Sequence, residues 1–154
     1  MMLLLWMAFL SLLLSILVFG VGDLMVFKSA QIIQLKQADV MWRYFAAFGF
    51  AAIAMITVAA LSFFLSLFAE NSIGPIVATM SIVIVFTILT TMDLPLFNLL
   101  KPYLFTSHML GWKGFFDNPI KYGSIFKSAG ILLLHITAFV GIAIYLFRKK
   151  DILS

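Results

Sequence analysis

DLPLFNLLKPYLFTSHMLGWKGFFDNPIKY, residues 93–122, is too apolar for a solvated loop, and Pro95, Pro102, Gly111, Gly114 and Pro119 interrupt it too often for a spanning helix. A segment of this kind lies in a membrane or dips into one. Interrupted backbone is tolerated at membrane depth only where other protein or a water-lined cavity satisfies its amides. The pattern predicts two short pieces. Asp93 caps the first, with Pro95 in its first turn, and Pro102, which has no N–H, separates it from a second piece at 103–110. Each reaches only ~10–12 Å at a helical rise of about 1.5 Å per residue, far short of a ~30 Å hydrocarbon core. On the first piece Asn98 and Lys101 share a face opposite Leu96, Leu99, Leu100 and Tyr103. Two readings follow: an amphipathic helix resting at the interface with Lys101 snorkelling, or a re-entrant gate.

The rest of the chain fits a membrane setting. Of 154 residues, 64% are hydrophobic and only 10% charged, against roughly 25% charged in an ordinary soluble domain. The absence of cysteine excludes a disulfide framework and thiolate metal sites. The formal charge of +4 is spread along the chain with no basic block, so nucleic acid is not an expected partner, whereas anionic lipid is.

Charge-free windows at 1–22, 44–69, 71–92 and 128–147 each approach the ~20 residues a spanning helix needs. They predict a single all-α transmembrane domain over 1–154, with spans at about 1–22, 44–69, 74–92 and 124–147 and the interrupted segment 93–122 before the last. The first window lacks the basic start of a signal peptide and reads as a retained span. Residues 23–43 read as a connector, helical in part, ending at Trp42, Arg43 and Tyr44 as an anchor at headgroup level. Ala47, Ala51 and Ala54 fall on one face of the second span and permit close approach of another helix, although alanine is common in such helices. The short break at 70–75 predicts an antiparallel hairpin, with Ser72 and Pro75 opening the third span. Thr87, Thr90 and Thr91 are expected to bond back to their own helix.

Little here carries chemistry. His108 and His135 stand in different segments without metal-ligand spacing, and no phosphate loop or nucleophile motif occurs. The chain is therefore not expected to be an enzyme, to bind a metal or to hold a cofactor. His135 is the one ionisable group well inside an apolar window, which makes it either a residue bonded across to a neighbouring helix or part of a translocation path with Thr137. Asn98, Lys101, Pro102, His135 and Thr137 are the candidate pathway or gate residues.

From LFNLLKPYLF at 96–105, GWKGFFDNP at 111–119 and a last span closing on FRKKD at 147–151, the final third resembles the type 2 ABC exporter permeases, membrane subunits of bacterial ATP-driven efflux systems. The resemblance implies a path-forming permease that works with a separate ABC ATPase subunit and a second permease subunit, as a homodimer or heterodimer, in the bacterial cell membrane with its C-terminus cytoplasmic. It also implies that the chain corresponds to spans three to six of the usual six, without the coupling helix between the second and third. Counting Lys and Arg puts three on the C-terminal side, at 148–150, against seven on the other, the opposite of the positive-inside pattern. The alternative reading is a small four-span accessory or immunity protein that binds a partner or peptide without transporting it.

Overall fold

The computed structural model describes residues 2–20, 22, 24–28, 31–71, 73–92 and 101–151. Its order is α1 (Met2–Phe19), a hairpin of β1 (Leu24–Lys28) and β2 (Gln31–Leu35), α2 (Gln37–Ser66), α3 (Ile73–Thr91), a 3-10 turn at Lys101–Tyr103, α4 (Phe105–Met109), a 3-10 stretch at Leu110–Phe116, and α5 (Tyr122–Asp151). Three stretches are long and apolar enough to cross a membrane: Asp39–Ser66, Ile73–Thr91 and Tyr122–Lys149. They correspond to the second, third and fourth expected spans. The first window forms α1, which stops where Gly20 takes a left-handed φ of 72° and its N–H bonds to the Ile16 carbonyl at 2.9 Å. Glycine ends a helix in this way because it has no Cβ to strain in that conformation.

The connector departs from its expected partly helical form. Leu24–Lys28 and Gln31–Leu35 pair antiparallel, with Leu24 opposite Leu35 and Lys28 opposite Gln31. Val26, Phe27, Ile32 and Ile33 are strand formers, and pairing lets the two strands satisfy each other's backbone where a helix this short would be marginal. Leu35 is buried almost completely.

α2 starts ahead of its charge-free window and carries Asp39 in its first turn, where the helix dipole favours a carboxylate. Its buried stripe is Arg43, Ala47, Phe50, Ala54, Thr57 and Leu61, spaced by four and three along the whole helix. The expected small-residue face is thus real at Ala47 and Ala54, while Ala51 is half-buried. Thr57, fully buried, bonds the Ile53 carbonyl one turn back. Asn71 opens α3, its Oδ1 accepting the Gly74 N–H at 2.8 Å, with Pro75 buried in the first turn; Ser72 lies outside the described residues.

α2 and α5 make the main helix pair and α3 packs beside α2. Phe50, Ala54 and Leu61 of α2, Ile125 and Leu132 of α5 and Phe105 of α4 form one core, and Phe64 stacks on Phe139 at 6.0 Å further along. Because the helices alternate in direction, the start of α2, the end of α3 and the start of α5 meet at one end of the bundle. Residues 101–121 fill that end.

Candidate functional site: the capped end of the bundle

The first expected piece lies outside the described residues except for its end at Lys101. Pro102 lies inside the 3-10 turn, and the break falls at Leu104, which is extended with φ −75° and ψ 123°. Beyond it α4 turns inward. Phe105 is 1% exposed, with its ring centroid 5.8 Å from Phe86 of α3 and 6.0 Å from His135 of α5. His135 stands several turns into α5, so this one side chain carries the cap into the bundle.

Three polar attachments surround Phe105, one on each long helix. On α2, Arg43 is only 6% exposed, and its Nη1 donates to the carbonyls of Phe115 at 3.1 Å and Asp117 at 2.9 Å. Its Nη2 lies 3.8 Å from half-exposed Asp39, while Nε is buried without a partner. Arg43 is expected at headgroup level beside Trp42; its guanidinium does lie 5.9 Å from that ring, and it also closes the chain reversal at the end of the 3-10 stretch. Both bonds come from one terminal nitrogen, whose two N–H groups are held in the guanidinium plane. The signal was legible, because Arg43 falls in phase with Ala47, Phe50 and Ala54.

On α3, Thr90 donates its hydroxyl proton to the Phe86 carbonyl at 2.7 Å, as expected of these threonines. Its oxygen therefore accepts from the hydroxyls of Thr106 at 3.2 Å and Ser107 at 3.4 Å. On α5, buried Ser128 bonds His108 Nδ1 at 3.1 Å, and His108 Nε2 lies 3.0 Å from the Pro102 carbonyl. A carbonyl only accepts, so Nε2 carries the proton and Nδ1 accepts from Ser128. His108 thereby joins the 3-10 turn to α5.

Close packing completes the cap. A Cβ on Gly111 would stand 2.6 Å from Phe50 Cζ and 3.1 Å from Ser128 Cβ, so only glycine lets the segment lie against α2 and α5 here. Gly111→Ala is expected to push the cap outward and to destabilise it by ~1–3 kcal/mol. Adding Phe50→Leu, which withdraws the ring atoms in the way, should recover part of the loss in detergent thermal unfolding. Equal stability of wild type and the single variant would refute the contact.

Among the described residues the pathway candidates do not converge. Asn98 lies outside the described residues; Lys101 is half-buried and Pro102 exposed in the 3-10 turn. His135 donates Nδ1–H to the Ile131 carbonyl of its own helix at 2.8 Å, rather than across to another, and its ring sits between Phe105 and Phe139. Thr137 is exposed on another face and bonds back to Leu133 and Leu134. Among the described residues no three His, Asp or Glu side chains gather as a metal site would require. The arrangement is built to hold a segment in place. No family model matches the chain, and neither a curated protein nor a solved structure is significantly similar to it.

Proposed function

We propose that this chain is the permease subunit of an ATP-driven ABC exporter and crosses the bacterial cell membrane four times, with residues 93–122 re-entering from the outer side as a gate. The observation that carries this reading is the cap itself. The stretch that resembles the exporter permeases is the one whose Phe105 lodges between α3 and α5 at the mouth of the bundle. α1 serves as the fourth span: its 18 residues rise ~27 Å, close to the ~30 Å of a hydrocarbon core, and carry no charge. Both termini then lie on the cytoplasmic side with Arg148, Lys149 and Lys150. Arg43 is committed to cap carbonyls and is no longer a free outer cation, which narrows the charge conflict. ATP is hydrolysed by a separate subunit, and a second permease subunit faces this one across the path.

Affinity purification from the native membrane in mild detergent tests the reading: a nucleotide-binding subunit should co-purify in stoichiometric amount with ATPase activity. Recovery of the chain alone, or with an unrelated membrane protein, would overturn it in favour of the accessory reading. Orientation has its own test, because the chain contains no cysteine. Asn118→Cys, on the exposed rim of the cap, should react with an impermeant maleimide added to intact cells; labelling only after lysis would reverse the topology.

A further inference from the structure

His135 stands near the middle of the stretch Tyr122–Lys149, a depth at which a polar ring is costly. Its ring belongs to a line of aromatic contacts that runs from the cap to the opposite end of the bundle. Phe105 sits 6.0 Å from His135, and the line passes to Phe139 at 5.9 Å, to Phe64 of α2 at 6.0 Å, and to Phe68, just beyond the end of α2, at 5.3 Å. Phe64 and Phe139 are nearly parallel, at 23°, whereas the other three pairs are steeply tilted. Stacked face to face, they set the spacing of α2 and α5 at the end away from the cap.

His135 differs from the phenyl rings on either side of it in one respect. Its Nδ1–H bonds the Ile131 carbonyl of its own helix at 2.8 Å. Leaving that bond would strand an N–H in hydrocarbon, so the imidazole keeps its rotamer and travels with α5 as a fixed tooth. A phenyl ring has no such bond and swings to follow its neighbours. α3 and α5 each pack on α2, and Phe105 fits between them against Phe86 and His135. The width of that seat therefore depends on where α5 stands relative to α2. Close-packed rings do not stretch to absorb a shift, so the seat either holds Phe105 or rejects it. We propose that His135 is the positioning residue through which the far end of the bundle controls the cap: a displacement of α5 against α2 at Phe64 and Phe139 is delivered by the pinned imidazole to Phe105. The inference rests on the docked cap and its hydrocarbon surroundings, and not on export.

The test reads cap opening as the rate at which maleimide labels Thr106→Cys, a buried position, in the full chain in lipid nanodiscs. Phe64→Ala, which removes the ring stack at the far end, should speed labelling about tenfold. With His135→Phe or His135→Leu in place, neither of which can bond Ile131, adding Phe64→Ala should change the rate by less than about twofold. This departure from additivity separates transmission through His135 from simple loss of packing. Either background suffices if the other misfolds. Phe63→Ala, at an exposed neighbour on the same turn, should leave the rate unchanged. The proposal would be overturned by Phe64→Ala having no effect, or by its speeding labelling equally in the unpinned backgrounds. Equal acceleration at Thr57→Cys, fully buried in α2 two turns from Phe64, would also overturn it, because the whole fold would then be opening.

Discussion

Arg43→Leu is expected to free the cap while leaving the long helices formed. A hydrogen bond from a charged donor contributes about 1.5–3 kcal/mol, and this substitution leaves the carbonyls of Phe115 and Asp117 without their donor. The partnerless Nε lowers the native gain, so the net loss should be near ~3 kcal/mol rather than the sum of two such bonds. The measurement is the reactivity of a single cysteine at Thr106, which is buried at the base of the cap and shielded while it stays docked. If opening governs access, ~3 kcal/mol corresponds to labelling on the order of a hundredfold faster. Arg43→Lys should fall between, because a flexible ammonium on a shorter stem replaces a donor held in a rigid plane. Asp39→Asn should change little, since its 3.8 Å ion pair is half exposed. A labelling rate unchanged by Arg43→Leu would show that the guanidinium does not hold the cap.

Phe105→Ala is the second large effect. The ring is enclosed by α3 and α5, and its loss should destabilise the fold by ~3–5 kcal/mol, the usual range for emptying a buried aromatic site. Phe105→Leu should cost less than half as much. In a bilayer the contrast with exposed residues is sharp, because lipid tails are as apolar as a side chain and burial by itself gains little. What Phe105 supplies is close packing between helices, so Tyr103→Ala, at an exposed neighbour, should be nearly neutral. Thermal unfolding in detergent reads all three variants. Equal midpoints for Phe105→Ala and wild type would remove the wedge as an organising contact.

His135 and Thr137 show where sequence reasoning stopped. Two residues apart on a helix point to nearly opposite faces, so they could not share a path on α5 without distortion. The geometry was available from the sequence, but which face met the bundle was not. Arg43 is the converse case. Its phase with the buried stripe of α2 was readable, but a cation next to Trp42 and Tyr44 reads first as an interfacial anchor, and only the structure brings the Phe115 and Asp117 carbonyls to it. The β1–β2 hairpin was missed because two five-residue apolar runs give too short a period to distinguish strand from helix.

From the sequence came the apolar windows, three of which are helices of membrane-crossing length, and the interruption of residues 93–122 by proline and glycine; the stops at Gly20 and Asn71 came from the structure. The windows and the interruption follow from local physics: hydrocarbon forces backbone groups to pair within their own segment, and proline and glycine break that pairing wherever they stand. Where residues 101–121 go depends on the tertiary structure. Phe105 meets Phe86 and His135, Gly111 meets Phe50, and Arg43 meets carbonyls more than seventy residues away. Such pairings depend on shape and on unpaired groups brought together by the whole fold, and they leave no periodic trace in the chain.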